Sequence, residues 1–464
     1  MKKAIIFLCM AAGLVSCAKE ALNPENENAQ AEGVPMSFDV TVLETKAAKT
    51  AWADGDKIYV FFNGLETKYL VMTYSTRTGW SDASGGGTLL DSDFSGTGTK
   101  TLTAVHFPVD VTVAYADSKF SFTSGGKPVY NYYLYETGKA YTVDGTTVTA
   151  TLALGKPADM VQIHVAGIQG NVSDYTFGCT KIKPVACASV GKDGAITESV
   201  LQAGARLSGI ADADGGIFAG RLVYPGESKN YKFTVASDDN IYTLTRANRT
   251  LTAGTMYNFP ALSETGGSNW AVTDVSGLYV DLGLGVKWAK CNLGAISETE
   301  YGDYFAWGEV TGYKEGKTDF EWSTYYFNPS GDGSTFTKYT GSGDATLEKE
   351  DDAAYAALGG KFRMPTDAEI DALLELSKEW VTNYNGSGIS GYTFTGNGST
   401  LFLPAACGRG YADLGNAGSD GYYWSSSRRT YDPGYAWHLS FDSEYDGTLF
   451  CYRYLGFPVR PVSE

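Results

Sequence analysis

Paired acidic side chains are the first chemistry to look for in this chain, because 53 Asp and Glu residues stand against only 3 histidines. Asp303 and Glu309, in the segment YGDYFAWGE, are a pair that could act as acid and base in glycoside cleavage. The repeated aromatic residues of that segment indicate core packing, however, and acids placed between them are typical turn or helix-cap partners. We therefore predict no catalytic residue and a non-enzymatic protein, with a carbohydrate-active enzyme as an alternative.

Metal-dependent chemistry would need clustered histidines or cysteines. The three histidines are far apart in the sequence: His106, His164 and His438. Cys9 and Cys17 belong to the N-terminal segment, and the remaining cysteines lack the spacing of a metal site: Cys179, Cys187, Cys291, Cys407 and Cys451. We predict no metal, no cofactor and buried free thiols, with a disulfide between Cys179 and Cys187 as the alternative.

Charge and composition narrow the class of protein further. The formal net charge is −17 at pH 7 and no run of Lys and Arg occurs, which excludes a protein that tracks nucleic-acid phosphates. The chain has 56 Gly and 14 Pro, and 14% of its residues are aromatic, a composition typical of many turns joining half-buried strands. The sequence therefore predicts a mainly β protein with no nucleic-acid partner.

The N-terminal segment predicts export and lipidation. Lys2 and Lys3 precede an apolar run at 4–14 that is too short to span a bilayer as a helix. The block LVSC at 14–17 resembles the lipobox of bacterial lipoproteins, in which the cysteine is acylated and becomes the first residue. The resemblance implies a signal peptide at 1–16 and a lipid anchor on Cys17.

A polar tether follows the predicted anchor. Residues 17–35 are rich in Asn, Glu and Ala and have no hydrophobic periodicity, so we expect a flexible segment. Lys19 and Glu20, directly after the cysteine, resemble the surface-export signal of Bacteroidota lipoproteins. This resemblance implies a protein anchored in the outer membrane and exposed at the cell surface.

Residues 36–262 show short alternating apolar runs separated by Gly, Asp and Asn. Such a pattern predicts antiparallel strands in sandwiches, with no long helix. The expected strands lie at 36–42, 57–62, 69–74, 111–115, 147–154, 160–168, 232–236 and 241–244.

This region resembles the fimbrillin family of pilus subunits and surface lipoproteins. The resemblance is carried by TAWADGDKIYVF at 50–61, by the run at 150–167, and by the closing segment at 251–259. It implies two β-sandwich lobes, at about 36–153 and 154–262, and interaction with other pilus subunits as one alternative. Family members are usually cleaved after an early Arg, whereas the first Arg of this chain is Arg77.

A linker at 263–269 leads into residues 270–464, where the sequence motifs are longer and richer in aromatic residues. Asp351 and Asp352 are expected to begin a short helix that stops at Gly359 and Gly360. A second helix is predicted from a capping box of Thr366 and Glu369, with an apolar stripe: Ile370, Leu373, Leu374, Ser377 and Val381. Strands are expected at 401–403, 422–424, 436–441 and 449–454, so this is an α+β domain.

The C-terminal region resembles the Fibrobacter succinogenes major paralogous domain family. The segments that carry the resemblance are VDLGLGVKWAKCNLGA (280–295), YGDYFAWGE (301–309), KFRMPTDAE (361–369), LFLPAACGRG (401–410), GYYWSSS (421–427) and GFPVRPV (456–462). They imply a C-type-lectin-like layout, in which a rigid frame displays a variable surface. Arg453 and Arg460 are expected to belong to that frame, because an arginine buried between strands typically holds backbone carbonyl groups or a carboxylate.

Between Trp424 and Arg460 lies a group of aromatic, acidic and basic residues with no evident structural role. Tyrosines that give rigid contact area, together with adaptable polar groups, are typical of binding surfaces. The candidate ligand-binding residues are Arg428, Arg429, Tyr431, Asp432, Tyr435, His438, Asp442, Glu444, Tyr445, Asp446 and Tyr452. We predict an adhesin or ligand-binding lipoprotein whose partner is a glycan or a surface protein of a host or neighbouring cell. A minor or tip pilus subunit is an alternative.

Overall fold

The computed structural model describes residues 37–42, 52–83, 86–98, 100–124, 127–128, 133–212, 215–263, 269–341 and 345–464. The predicted signal peptide, Cys17, the tether and most of the linker lie outside these residues. Within them the chain is mainly β and is built from several sheets, as the sequence predicts. No helix in this part of the chain has the length and apolar character needed to span a membrane.

The first lobe contains strands β1 to β11. They are Ser37–Val42, Lys57–Phe62, Leu70–Ser75, Gly79–Ala83, Thr101–His106, Thr112–Ala116, Lys119–Ser124, Lys127–Pro128, Leu134–Ala140, Thr142–Asp144 and Thr147–Leu152. Strand β2 lies at the centre of the sheet β4-β3-β2-β5-β9 and is buried on both faces. Ile58 and Val60 pack into one core while Tyr59 and Phe61 pack into another, which explains why the strand is an unbroken apolar run.

The second lobe contains strands β12 to β21. They are Met160–Ala166, Thr176–Cys179, Ile182–Gly191, Ile196–Val200, Arg206–Ser208, Ile210–Asp212, Gly215–Leu222, Ser228–Ala236, Asn240–Thr250 and Met256–Phe259. Strand β14 pairs with β7 of the first lobe, where Val190 lies opposite Phe120. The two lobes therefore share a nine-stranded sheet.

The C-terminal region contains strands β22 to β34 and two α-helices. The strands are Ala271–Asp274, Tyr279–Asp281, Lys287–Ala289, Phe362–Arg363, Ser377–Val381, Gly391–Gly396, Ser399–Pro404, Arg409–Gly410, Asp413–Leu414, Gly421–Arg428, Tyr435–Phe441, Asp446–Tyr452 and Val462–Ser463. Helix α1 is Ala353–Leu358 and helix α2 is Asp367–Leu374. Strand β22 pairs with β20, so the second-lobe sheet continues past the predicted linker.

The helix starts follow the capping residues expected from the sequence. The Asp352 side chain accepts a hydrogen bond from the Tyr355 backbone N–H at 2.9 Å, and Thr366 and Glu369 form a reciprocal capping box at the start of α2. The predicted continuation of the apolar stripe to Val381 is wrong. Residues Ser377–Val381 form strand β26 instead, because they pair with β27 in a three-stranded sheet.

The C-terminal domain packs on the second lobe through buried polar contacts. Gln202 Nε2 donates to the Gly308 carbonyl at 2.6 Å and to Asp351 Oδ1 at 2.8 Å. Arg206 reaches the Ala356 carbonyl at 3.2 Å. An apolar cluster continues this contact: Ala236, Ile241, Val275, Ala289 and Phe362. The second lobe is thereby attached to the C-terminal domain.

Candidate binding surface

The candidate residues lie on and around a three-stranded antiparallel sheet of order β31-β32-β33. Tyr435 pairs with Tyr452 at one end of β32, and Phe441 pairs with Asp446 at the other. Side chains alternate across a strand, so Tyr435 and Trp437 share one face of β32 while His438 and Ser440 share the other. The predicted set is therefore divided between two ends and two faces of the same sheet.

One end of the sheet carries a continuous row of aromatic rings, which we call the aromatic ridge. It consists of Trp322, Tyr435, Trp437, Phe450, Tyr452 and Tyr454. Neighbouring ring centroids are 4.7 Å apart for Trp322 and Tyr454, 5.6 Å for Tyr454 and Tyr452, and 4.5 Å for Tyr452 and Tyr435. Phe450 continues the row, at 5.6 Å from both Tyr435 and Trp437. These spacings are those of favourable aromatic pairs.

The ridge is open to solvent and carries polar groups at its edge. Phe450 and Tyr452 each keep 40% of their surface exposed, and Tyr431, in the β31–β32 connection, keeps 91%. The Arg429 guanidinium lies 3.7 Å from the Phe450 ring centroid, in a cation–π contact. Asp432 accepts the Gly434 backbone N–H at 3.0 Å and so shapes the turn before Tyr435. The structure thus brings Arg429, Tyr435 and Tyr452 together, with Tyr431 and Asp432 in the turn that leads into Tyr435.

Tyr435 of the ridge is neutral at physiological pH. A hydrogen bond with the Tyr452 hydroxyl raises the pKa of Tyr435 to about 12, because the bond favours the protonated phenol. The two hydroxyl groups therefore offer donors and acceptors beside exposed ring faces. Such a surface can place flat apolar faces and hydroxyl groups against a partner at the same time.

The opposite end of the sheet carries the acidic part of the predicted set. Asp442 Oδ1 accepts the backbone N–H groups of Glu444 at 2.7 Å and Tyr445 at 2.9 Å, which closes the β32–β33 turn. Asp446 forms an ion pair with Lys378. At about 3.3 Å per residue, the turn end of β32 lies about 20 Å from Tyr435 and about 13 Å from Trp437. The acidic turn and the ridge are therefore separate surfaces.

Arg428 and His438 do not belong to the exposed surface on which the sequence placed them. Only 2% of Arg428 and 4% of His438 is exposed. Arg428 Nη2 donates to the Gly341 carbonyl, so this side chain ties a neighbouring loop to β31. His438 points to the face of β32 opposite the ridge, where it lines a cavity. The alternation of side chains along β32 turns His438 inward.

Arg453 supports the ridge from behind. Its Nη1 donates to the Pro433 carbonyl at 2.8 Å, and its Nε donates to Tyr325 Oη at 2.8 Å. The guanidinium is buried among aromatic rings, with Trp307 at 4.7 Å and Phe336 at 5.1 Å from ring centroid to guanidinium carbon. Arg453 belongs to the frame, as the sequence predicts, and it holds the turn that presents Tyr431 and Tyr435.

Asp303 and Glu309 make the contacts expected of loop-supporting acids. Asp303 Oδ1 accepts the Tyr304 and Lys314 backbone N–H groups at 2.8 and 2.9 Å. Glu309 accepts the Tyr326 N–H at 2.8 Å and pairs with Lys317 at 3.0 Å. Burial raises the pKa of both carboxyl groups. Their hydrogen-bonding capacity is thus used to organise the loop at 303–326.

The cysteines and acids of the described residues form no metal centre. No group of three or more His, Cys, Asp or Glu side chains in that part of the chain has the geometry to hold a metal ion. Cys179, Cys291, Cys407 and Cys451 carry free thiols, so Cys179 does not form the alternative disulfide. The side chain of Cys187 lies outside the described residues.

Four ridge residues were missed by the sequence reasoning: Trp322, Trp437, Phe450 and Tyr454. Alternation along β33 places Phe450 on the same face as Tyr452, so a strand pattern at 446–452 could have identified it. Trp322 comes from a distant loop, and no local pattern connects it to Tyr454.

The described chain is thus a mainly β protein of two joined lobes, followed by an α+β domain with an exposed aromatic ridge. No family model and no curated protein matches it. Among solved structures it is similar to a fimbrial protein from Bacteroides ovatus, with 10% identity, a TM-score of 0.23, and coverage of 93% of this chain and 99% of that one.

Two further solved structures cover smaller parts of this chain. A candidate cell adhesion protein from Bacteroides fragilis has 12% identity and a TM-score of 0.29, covering 52% of this chain and 97% of its own. The fimbrial anchor protein from Porphyromonas gingivalis has 12% identity and a TM-score of 0.23, covering 44% of this chain and 78% of its own.

Proposed function

We propose that this protein is a non-enzymatic adhesin, anchored by a lipid on Cys17 and exposed at the cell surface. It binds a glycan or a protein of a host or neighbouring cell through the aromatic ridge. The observation that carries the proposal is the unbroken row of rings from Trp322 to Trp437, with Phe450 and Tyr452 exposed on a rigid sheet.

The chemistry of the ridge suits recognition. Exposed tyrosines provide large contact area at a low cost in side-chain entropy, and the faces of their rings can stack on sugar rings or on apolar side chains. Arg429 adds a positive charge that remains partly accessible beside Phe450. Because the rings already contact one another in the free protein, binding requires little further ordering.

A binding assay with purified protein tests this proposal. Residues 18–464 would be applied to a glycan array and to immobilised host-cell surface proteins, beside the double variant Tyr435→Ala/Tyr452→Ala. We expect the wild-type chain to bind at least one surface and the double variant to bind it about tenfold to a hundredfold more weakly, since each central aromatic anchor contributes about 1–2 kcal/mol. Tyr224→Ala, at an exposed second-lobe tyrosine, is the matched control and should bind like the wild type.

The outcomes separate this proposal from its alternatives. Absence of binding to every surface, or equal binding by the double variant, would contradict the role of the ridge. Recovery of the chain within filaments, with adhesion unchanged in the double variant, would favour the pilus-subunit alternative. Turnover of a polysaccharide that disappears in Glu309→Gln would favour the enzyme alternative.

A further inference from the structure

Strand β33 is the outer strand of the sheet that carries the ridge. It pairs with β32 on one side, and no described strand pairs with its other side. The segment TLFCY at 448–452 has no charged residue and no proline. Leu449 keeps 41% of its surface exposed, and Phe450 and Tyr452 keep 40% each. Sheet edges are usually protected by charges, by proline or by a covering segment, so an exposed apolar edge is a place where another strand can pair.

The hydrogen-bond pattern shows which backbone groups of β33 point outward. At one end of the hairpin the Asp442 N–H donates to the Tyr445 carbonyl at 2.8 Å, and at the other the Arg453 N–H donates to the Gly434 carbonyl at 3.0 Å. Hydrogen-bonded and non-hydrogen-bonded residue pairs alternate along an antiparallel ladder. Alternation from either end leads to the same residues that direct their N–H and C=O groups away from β32: Thr448, Phe450 and Tyr452.

Most of these outward groups have no partner. The Tyr452 carbonyl accepts the Leu455 N–H at 3.1 Å. Within the part of the chain that the structure describes, no hydrogen bond is made by the N–H and C=O groups of Thr448 and Phe450 or by the N–H of Tyr452. Such groups recur at every second residue, which is the spacing that another extended backbone matches. The edge is therefore suited to the addition of a strand.

A strand added beside β33 would have contacts on both faces of the sheet. Its side chains alternate between the faces, so every second one lies beside Phe450 and Tyr452 at the ridge. The others lie beside Leu449 and Cys451, which line a cavity of about 500 Å³ on the opposite face. Phe450 borders both the ridge and the cavity, so the two faces belong to one site.

Charge indicates what the added strand carries. The Arg429 guanidinium, 3.7 Å from the Phe450 ring centroid, is partly exposed and forms no ion pair with a described residue. An Asp or Glu beside Phe450 would supply that pair. A second copy of this chain is disfavoured, because antiparallel pairing of two β33 strands about Phe450 brings two Arg429 side chains together on one face. The formal net charge of −17 on each copy adds to the repulsion.

We propose that the free edge of β33 binds an extended segment of a partner protein, which pairs with residues 448–452 and places an acidic side chain beside Arg429. This inference rests on the proposed function, since it names the partner of the ridge as a polypeptide strand. It makes the backbone of β33 part of the binding site together with the aromatic rings. A substitution at Thr448 removes no ring, so failure of strand pairing is distinguishable from failure of the ridge.

Synthetic peptides test the pairing on residues 18–464. The probes come from a phage-displayed library of random nine-residue peptides selected on the immobilised wild-type chain. The most enriched peptide is synthesised unmodified, with N-methyl groups on alternate residues, and with N-methyl groups on the intervening residues. A strand that pairs through one edge uses every second N–H group. We therefore expect one methylated form to bind about tenfold or more weakly, and the other to bind like the unmodified peptide.

Two variants locate the pairing on β33. Thr448→Pro removes an outward N–H and no bond to β32, a change that the outer strand of a sheet tolerates. Thr448→Val is the matched control, because it keeps the N–H and the branched side chain and removes only the hydroxyl group that bonds to Asp371. We expect Thr448→Pro to bind the peptide about tenfold or more weakly and Thr448→Val to bind it like the wild type.

The proposal is overturned if no peptide is enriched, if the two methylated forms bind equally, or if Thr448→Pro binds as tightly as Thr448→Val. A wild-type dimer that Thr448→Pro converts to a monomer in sedimentation would assign the edge to a second copy and would also overturn it. Adhesion of whole cells that is lost in Tyr435→Ala/Tyr452→Ala but kept in Thr448→Pro would support the ridge and contradict strand pairing.

Discussion

Arg453 Nη1 donates to the Pro433 carbonyl oxygen at 2.8 Å, and this bond joins the buried frame of the C-terminal domain to the turn that carries the aromatic ridge. The backbone N–H of Arg453 also donates to the Gly434 carbonyl at 3.0 Å. Tyr435 follows directly in the chain. The position of the ridge therefore depends on a side chain that is fully buried.

Replacing Arg453 is expected to destabilise the domain. Arg453→Met leaves the Pro433 carbonyl unpaired and removes the cation from its aromatic surroundings, so the free energy of unfolding should fall by about 2–4 kcal/mol. Urea unfolding followed by tryptophan fluorescence measures the change. Arg429→Met is the matched control, because this arginine is partly exposed, and its effect should stay below about 1 kcal/mol. Equal effects of the two substitutions would contradict the supporting role of Arg453.

Local signals in the sequence predicted much of the frame. Thr366 and Glu369 form the expected capping box, and Asp352 caps α1. These features depend on residues within one helical turn, which explains why pattern alone identified them. The sequence pattern wrongly predicted that the helix continues through Ser377–Val381. These residues pair with β27 instead, and this tertiary contact outweighs the local helical pattern.

The candidate site was predictable only in part. Tyr435 and Tyr452 were identified by composition, and the structure shows that they are cross-strand partners. His438 was assigned to the same surface because composition does not report the face of a strand. Trp322 could not be found from the sequence, since its contact with Tyr454 depends on a loop that returns from a distant part of the chain.

Asp352 is expected to make stability depend on pH. Burial raises its pKa from 3.8 to about 6, although Tyr355 and Met364 backbone N–H groups bond to it. Because the folded pKa lies above the unfolded value, the stabilisation from the protonated group is complete below about pH 4 and is lost as the pH rises through 6. Relative to the wild type, Asp352→Asn should therefore gain about 2 kcal/mol between pH 4 and pH 7.

Urea unfolding of both chains at several pH values measures this difference. The Asn variant keeps the size of the side chain, so any constant offset from altered capping cancels when the difference is compared across pH. A difference that stays flat between pH 4 and pH 7 would show that Asp352 has the same pKa in the folded and unfolded chains.

The predicted anchor makes a separate expectation about Cys17. Cys17→Ser should abolish incorporation of radiolabelled palmitate and move the protein out of the membrane fraction, since the acyl chains are attached to this sulfur. Cys9→Ser lies within the predicted signal peptide and serves as the matched control, with labelling unchanged. Continued labelling of the Cys17→Ser chain would contradict the lipid anchor.

Adhesion of whole cells tests the central claim most directly. Cells displaying the wild-type chain would be compared with cells displaying Tyr435→Ala/Tyr452→Ala, at equal amounts of surface protein measured by release with an external protease. We predict that the wild-type cells adhere to host or neighbouring cells and that the double variant reduces adhesion to the level of cells without the protein, while Tyr224→Ala leaves it unchanged. Equal adhesion by the wild type and the double variant, at equal surface display, would contradict the claim that the aromatic ridge is the binding surface.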